Sequence, residues 1–203
     1  MSAQRAQPLP RLTPDAYLAF ERASEVRHEY HDGLITLQAG ASFAHTLLNA
    51  NTIAALERTL RDRPCTVHSS DLRISIAQGR RYVYPDVTVI CGEPVYDPRD
   101  TAGETIANPA LIVEILSPST EAIDRGKKFH AYQQIATLQD YLLIAQDAVR
   151  VEHFRRFDTH IWQIMLITDL DESIALPVIG GSIALADIYR KVSLLPAESE
   201  DYS

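Results

Sequence analysis

The run Leu111–Leu116 restricts the fold of this 203-residue chain more than any other part of its sequence. Its residues are Leu-Ile-Val-Glu-Ile-Leu, and a nearly continuous apolar run of this length is typical of a central strand covered on both faces. Glu114 places a carboxylate inside that run. Because a buried unpaired carboxylate is strongly unfavourable, Glu114 needs a cation, a hydrogen-bond donor or a proton. An arginine across the sheet is the structural alternative to a functional cation.

Helices and further strands are expected on both sides of this strand. Thr13 and Pro14 supply a cap and a preset first position for a helix that runs to about Ser24. Apolar residues recur at helical spacing from Ser42 to Leu60, which predicts a second helix. A turn at Asp32 and Gly33 precedes an alternating stretch that predicts a short strand ending at Leu37. Other strands are predicted at Thr66–His68, Leu72–Ile76, Val87–Ile90, Tyr141–Ile144, Val149–Phe154 and Ile161–Ile167.

The region after the central strand suggests a crossover connection. A helix is predicted from about Ile123 to Ile135, before the strand at 141–144, and this order favours parallel pairing of the two strands. The length of the chain favours a single domain, residues 13–195. We expect a flexible arm at residues 1–12 and a disordered acidic tail at residues 196–203.

Composition limits the classes of function. The sequence has no apolar run near the roughly 18 residues of a membrane-spanning helix and no secretory signal pattern, so we expect a cytoplasmic protein. Cys65 and Cys91 lack partners at metal-ligand spacing, and we expect buried, reduced thiols. The net charge of −8 argues against a basic sheath for nucleic acid. Folding can still gather local clusters of basic residues, which are Arg61, Arg63, Arg80, Arg81, Arg125, Lys127, Lys128, Arg155 and Arg156.

Asp86 and Lys128 complete a candidate site with Glu114. Asp86 follows Pro85 and opens an apolar strand, although a turn or capping role is the structural alternative. Two carboxylates on adjacent strands can hold one Mg²⁺, which prefers oxygen ligands and lowers the pKa of a bound water. Lys128 lies on the helix that returns from the end of the Glu114 strand, and its stem is long enough to reach the metal. A solvated helix face is the alternative for this lysine.

Several short motifs in order along the chain carry a resemblance to a known family. The chain resembles the Uma2 family of restriction endonucleases, within the PD-(D/E)xK nuclease superfamily, from about Tyr17 to Tyr189. The matching motifs are Arg27-His28-Glu29-Tyr30 with Asp32-Gly33, Gly40-Ala41-Ser42 with His45, Ser69-Ser70-Asp71-Leu72-Arg73, Tyr84-Pro85-Asp86-Val87, Ile112 to Thr120, and Asp124-Arg125-Gly126 with Lys128 and Tyr132.

The resemblance implies an α/β (α+β) fold with a restriction-endonuclease-like core. That core is a mixed β-sheet flanked by helices, with additional N-terminal and C-terminal strands. The resemblance also implies that Asp86 and Glu114 bind Mg²⁺, with Mn²⁺ as a substitute, and that Lys128 is the catalytic lysine. The main-chain carbonyl of Ile115 would complete the metal shell. One departure is Leu116, which stands where the superfamily pattern has lysine, so that Lys128 would have to supply the missing cation.

Other matched positions are candidates with structural alternatives. Glu29 would bind a second metal or orient a metal-bound water, or it would pair with Arg27 or another neighbour. His45 would contact phosphate or serve as a packing histidine.

The residues after the central strand and those at the start of the predicted strand Leu72–Ile76 are also candidates. Ser117 and Ser119 would touch a phosphate or, with Thr120, cap the next helix. Asp71 and Arg73 would serve the site or pair with each other, and for Arg73 we favour the pair.

The leading hypothesis is an Mg²⁺-dependent endonuclease that hydrolyses DNA phosphodiester bonds. A homodimer is expected, because two active sites are needed to cut both strands of a duplex. The alternative from another class is a catalytically inactive nuclease-fold module that binds nucleic acid or protein. A hydrolase of another phosphate ester is a third hypothesis. Paired carboxylates also suit glycoside hydrolysis, but the lysine fits that chemistry less well.

Overall fold

The computed structural model describes residues 11–38, 40–117 and 121–194. Two helices begin at the predicted caps. Helix α1 spans Pro14–Ala23, and the Thr13 hydroxyl accepts a hydrogen bond from the backbone N–H of Ala16 at 3.2 Å. Helix α2 spans Phe43–Leu60, and the Ser42 hydroxyl accepts from the backbone N–H of His45 at 3.1 Å. These caps satisfy N–H groups that the first helical turn leaves without partners.

The strands of the described residues are β1 (His28–His31), β2 (Leu34–Leu37), β3 (Cys65–Ser69), β4 (Arg73–Ile76), β5 (Arg81–Val83), β6 (Val87–Cys91), β7 (Thr105–Ile106), β8 (Leu111–Leu116), β9 (Asp140–Ala145), β10 (Val151–Arg156), β11 (Trp162–Ile167), β12 (Ser173–Leu176) and β13 (Gly181–Ala184). They form two larger sheets and one hairpin. The first sheet has the order β2-β1-β5-β4-β7, the second has the order β11-β10-β9-β8-β6-β3, and β12 pairs with β13.

Strand β8 occupies the centre of the six-stranded sheet, as the apolar run predicts. It pairs antiparallel with β6 and parallel with β9, and the second pairing confirms the expected crossover. All six residues of β8 are buried. On one face, Leu111, Val113 and Ile115 pack against Leu48 and Leu56 of helix α2. The other face contributes Ile112, Glu114 and Leu116, and it lies toward the five-stranded sheet.

The helical segment after β8 differs from the prediction. It consists of α3 (Glu121–Ile123), a π-helical turn (Asp124–Lys128) and α4 (Phe129–Tyr132). The predicted helix to Ile135 is therefore too long, because the chain turns after Tyr132. Helix α4 packs in a core with Ile74, Val83 and Ile112, between the two larger sheets. The chain's mixed sheets flanked by helices confirm the predicted fold class. A last short helix, α5, spans Leu185–Ile188.

The prediction of reduced thiols is wrong. Cys65 and Cys91 form a disulfide, with an S–S distance of 2.04 Å. The reason is the register of β3 and β6, which places the two cysteines directly opposite each other. Their separation of 26 residues along the chain gave no sign of this pairing.

The ends of the chain lie largely outside the described residues. Of the predicted arm and tail, the structure describes Arg11 and Leu12, and Leu12 donates its backbone N–H to the Gly33 carbonyl at 2.9 Å. Residues 1–10 and 195–203 are not described. Within the described ranges, the structure contains no helix with the length and apolar character required to cross a membrane.

Candidate active site

Glu114 lies at the centre of a buried polar cluster between the two larger sheets. It is 4% exposed. Its Oε1 accepts a hydrogen bond from the Tyr132 hydroxyl at 2.6 Å and from Nζ of Lys128 at 3.1 Å. Both donors come from the helical segment that follows β8. The buried carboxylate therefore has the cation and the donor that its place in the strand requires.

Lys128 contacts three carboxylates at once. Its Nζ lies 3.1 Å from Glu114 Oε1, 3.3 Å from Glu29 Oε1 and 3.4 Å from Asp124 Oδ1. Strand β1 supplies Glu29, and the π-helical turn carries both Asp124 and Lys128. The residues Glu29, Glu114, Asp124, Lys128 and Tyr132 are called the Lys128 cluster below. Three carboxylates around one ammonium leave more negative charge than the lysine balances.

Asp86 lies beside this cluster, directly before the first residue of β6. Val87 pairs with Val113, and continuation of this antiparallel register places Asp86 opposite Glu114. Asp86 Oδ2 accepts the backbone N–H of Ile115 at 2.7 Å and lies 3.3 Å from His45 Nε2. Helix α2 thus brings His45 to the site. Asn49, one turn later, donates to the Asp86 carbonyl at 3.1 Å.

The electrostatics of the site follow from burial and from this charge imbalance. Burial, with smaller contributions from Asp86 and the other carboxylates, raises the pKa of Glu114 to about 8, although the charge of Lys128 opposes this shift. Burial alone would lower the pKa of the Lys128 ammonium, but the carboxylates of Glu114 and Glu29 raise it above its usual value. Lys128 is therefore a firmly protonated cation at neutral pH.

The two residues at the edges of the site have opposite shifts. Burial would raise the pKa of Glu29, but hydrogen bonding with His31 and the charge of Lys128 lower it. Burial would lower the pKa of His45, but the hydrogen bond and the charge of Asp86 raise it. Glu29 therefore favours its ionised form, and His45 is shifted toward its cationic form.

The donor set can be tested against Mg²⁺. Within the described ranges, no three His, Cys, Asp or Glu side chains are grouped closely enough to hold a metal ion by themselves. Mg²⁺ is usually bound by one or two carboxylates and keeps several waters. Asp86 and Glu114 provide such a pair. Because N–H and C=O of a strand residue lie on the same edge and the Ile115 N–H bonds to Asp86, the Ile115 carbonyl faces the same side and would offer a third oxygen. These groups fit the ion.

Some expected partners are different in the structure. Glu29 pairs with His31 at 3.3 Å as well as with Lys128, and Arg27 pairs with Asp71 at 2.8 Å. The predicted pair of Asp71 and Arg73 is therefore wrong.

The reason lies in where the Arg73 side chain goes. Arg73 is buried in the five-stranded sheet, and its Nη2 lies 2.9 Å from Asp100. Asp71 is exposed in the preceding turn and is paired with Arg27 instead.

The roles predicted for Ser117 and Ser119 after β8 stay predictions. The Ser117 carbonyl accepts the backbone N–H of Glu121 at 2.9 Å, so Ser117 lies at the start of the next helical segment. Ser119, with Pro118 and Thr120, lies outside the described residues.

Sequence reasoning did not assign Asp124 or Tyr132 a role in the site. Both are spaced four residues from Lys128, one before it and one after it, which places such residues on the same side of a helix. This spacing was the available signal. The π-helical turn, however, has no signature in the hydrophobic pattern.

Three comparisons relate the chain to known proteins. Residues 14–186 match the family model Uma2, described as "Putative restriction endonuclease". "Uncharacterized protein slr1290" of Synechocystis is 38% identical over 184 residues, which cover 90% of this chain and 94% of that protein. "Uncharacterized protein sll1609" of the same organism is 38% identical over 159 residues, covering 78% and 87%.

A solved structure shows the same fold. It is the crystal structure of "a putative nuclease belonging to DUF820" from Anabaena variabilis, with a TM-score of 0.69 and 20% identity. The match covers 88% of this chain and 97% of the other.

Proposed function

The chain belongs to the Uma2 family, and on that premise we propose that it is an Mg²⁺-dependent endonuclease that hydrolyses DNA phosphodiester bonds. The observation that supports this best is the Lys128 cluster beside Asp86. An ion pair that serves stability needs one cation for one carboxylate, whereas here Lys128 contacts three carboxylates and Asp86 adds a fourth nearby. A divalent cation is the ligand that this imbalance favours.

Asp86, Glu114 and the Ile115 carbonyl would hold Mg²⁺, and Mn²⁺ would substitute. When bound, the ion would supply a water of lowered pKa and would neutralise charge on the phosphate. The two donors to Glu114 both use Oε1, so Oε2 is the oxygen that this carboxylate would offer to the metal. Tyr132 and Lys128 would thereby fix the orientation of the ligand, as outer-shell partners do in other metal sites.

Lys128 would act as a fixed positive charge. Because the surrounding carboxylates raise its pKa, Lys128 is an ammonium and not a general base in the metal-free protein. A preorganised ammonium in a water-poor site stabilises negative charge that develops on phosphoryl oxygens. Its place on the helical segment after β8 would compensate for Leu116 at the usual lysine position.

Glu29 and His45 would have supporting roles on opposite sides of the site. Glu29 holds Lys128 at 3.3 Å and, being ionised, would orient a water by accepting its proton in a hydrogen bond. His45 lies 3.3 Å from Asp86, and its cationic form would contact a phosphate oxygen. A homodimer would place two such sites on the two strands of a duplex.

Cleavage of DNA tests this function. Purified protein would be incubated with supercoiled plasmid and with labelled oligonucleotides, in Mg²⁺, in Mn²⁺ and in EDTA. We expect nicked or linear products in either metal and none in EDTA. Glu114→Gln and Lys128→Met should lower the rate by about 10² or more, since each removes charge at the reacting centre. Lys191→Met, an exposed lysine in the C-terminal segment, is the matched control and should cut like the wild type.

Two outcomes would contradict the proposal. Absence of cleavage in both metals, despite DNA binding, would favour the inactive binding module. Wild-type rates in Glu114→Gln would show that any cleavage comes from another site or from a contaminant.

A further inference from the structure

Two basic residues from different elements are joined by a hydrogen bond beside the elements that carry Glu29 and Lys128. Arg81 opens strand β5, and Lys127 precedes Lys128 in the π-helical turn. Nη1 of Arg81 donates to the Lys127 carbonyl at 3.4 Å. The Arg81 side chain is 25% exposed, and Lys127 is exposed. Arg81 and Lys127 are called the basic pair below.

The register of the five-stranded sheet explains why the basic pair lies near the site. Strand β1 pairs His31 with Arg81, so the two side chains lie on the same face of the sheet. His31 Nε2 lies 3.3 Å from Glu29 Oε2, and Glu29 Oε1 lies 3.3 Å from Lys128 Nζ. Arg81 therefore lies beside His31, which contacts Glu29, and Glu29 in turn contacts the buried lysine.

The neighbouring Asp32 does not neutralise the basic pair. Asp32 faces both arginines of the turn, but its Oδ1 lies 2.9 Å from Arg80 Nε while its Oδ2 lies 3.9 Å from Arg81 Nη2. Arg80 thus takes the close ion pair. Since a guanidinium has five N–H donors, Arg81 keeps donors for a ligand after its bond to Lys127.

The other arginine of the π-helical turn is engaged within the protein. Arg125 pairs with Glu121 and Glu152. Arg81 and Lys127 keep exposed positive charge beside the strand and the turn that carry Glu29 and Lys128.

We propose that the basic pair binds a backbone phosphate of the DNA strand, next to the phosphate that is cut. This rests on the proposed function, because the position follows from the site at Lys128. Arginine presents two parallel N–H groups to phosphate oxygens, and lysine adds a mobile point charge. Such a local contact also explains how a chain of net charge −8 holds DNA. The cluster's own carboxylates repel phosphate, so the anchor lies beside them.

The test is equilibrium binding of fluorescein-labelled DNA, single-stranded and duplex, by fluorescence anisotropy in EDTA at several salt concentrations. Arg81→Gln and Lys127→Gln should each weaken binding by roughly threefold to tenfold at low salt and reduce the salt slope by about 1. Arg80→Gln is the matched control, because this guanidinium is 70% exposed and already paired with Asp32. It should change binding less than about twofold. Mn²⁺ affinity, measured by calorimetry, should be unchanged in all three variants.

The outcomes separate this proposal from the nuclease mechanism. Weakened DNA binding in both basic-pair variants supports the anchor, even if the wild type binds no Mn²⁺ and cuts no DNA. Binding by Arg81→Gln and Lys127→Gln that matches Arg80→Gln overturns the anchor, even if the wild type cleaves. Failure of the wild-type protein to bind either form of DNA also overturns it.

Discussion

Two buried ionic clusters in this protein differ in charge balance: one is balanced, and the other has more carboxylates than cations. In the five-stranded sheet, Arg73 donates to Asp100, Thr105 and Tyr84 at 2.7 to 3.1 Å. Asp100 also accepts from the Thr105 hydroxyl at 2.6 Å and from backbone N–H groups. The partly exposed Arg22 also reaches Asp100 at 3.3 Å, and Glu104 lies 3.7 Å from Arg73. Two guanidiniums therefore meet two carboxylates, and the charges balance. The Lys128 cluster instead places three carboxylates on one ammonium.

The pKa values show the consequence of this difference. Burial would raise the pKa of Asp100, but hydrogen bonds from Thr105 and Arg73 lower it to about 2. Burial raises the pKa of Glu114 to about 8, and Lys128 only partly offsets that effect. The balanced cluster stabilises its ionised groups, whereas the Lys128 cluster has too little positive charge to stabilise all of its carboxylates in ionised form. Such an imbalance is typical of functional sites.

The largest effect is expected from breaking the balanced cluster. Arg73→Met leaves Asp100 buried without its closest cation, so the free energy of unfolding should fall by about 3 kcal/mol. Urea denaturation measures this change. Arg22→Met is the matched control, because Arg22 reaches the same carboxylate at 3.3 Å from a side chain that is 45% exposed. It should cost less than about 1 kcal/mol. Equal losses in the two variants would contradict the distinction between buried and exposed partners.

The next effect is the acid sensitivity of Asp100. Its pKa is lowered in the folded state, so its contribution to stability is complete above the unfolded value and is lost as pH falls from about 4 to about 2. The lost contribution is about 2 kcal/mol. Urea denaturation between pH 5 and 2.5 should show a steeper acid loss in the wild type than in Asp100→Asn. Parallel curves would show that Asp100 is not the titrating group.

A smaller effect is expected in the unbalanced cluster when the Tyr132 hydroxyl is removed. Tyr132→Phe deletes the 2.6 Å hydrogen bond to Glu114, so Mn²⁺ affinity should fall by about tenfold. Calorimetric titration measures it. Tyr141→Phe is the control, since this buried hydroxyl donates to the Asp124 carbonyl at 3.2 Å and not to Glu114. An unchanged affinity in Tyr132→Phe would show that the hydroxyl does not orient the ligand.

The smallest effect should have the opposite sign to the first. Because burial raises the folded-state pKa of Glu114 to about 8, ionisation of this group at neutral pH favours the unfolded chain. Glu114→Gln removes that penalty while Lys128 keeps Glu29 and Asp124, so the metal-free protein should gain up to about 1 kcal/mol in the free energy of unfolding. Glu21→Gln is the control: this buried carboxylate accepts from Tyr84 and from His28, and its loss should destabilise by about 1 kcal/mol. Destabilisation by both variants would contradict the idea of excess negative charge around Lys128.

The sequence predicted the parts of the fold that have local signals. Strand β8 has the predicted bounds, because its five apolar residues and the single glutamate among them mark a buried strand without reference to neighbouring strands. Strand β7 has two residues and no periodicity, so it was missed. The disulfide and the Arg73–Asp100 pair depend on strand register and on a loop conformation, which the hydrophobic pattern does not encode.

The site was predictable in its parts and not in its geometry. Glu114 was identifiable because a carboxylate inside an apolar strand requires compensation. Asp86 and Lys128 were candidates from their places at a strand start and on the segment that returns from the Glu114 strand, and the family motifs supported both. The contact of Lys128 with Asp124 and with Glu29 arises from the π-helical turn and from the packing of β1, and both are tertiary features.

The most direct test of the central claim is calorimetric titration of Mn²⁺ into the wild-type protein and into Asp86→Ala. We expect Mn²⁺ to bind the wild type and not the variant, because Asp86 and Glu114 together would supply the carboxylate oxygens. Equal binding in both proteins, or binding in neither, would contradict a metal site shared by these two carboxylates.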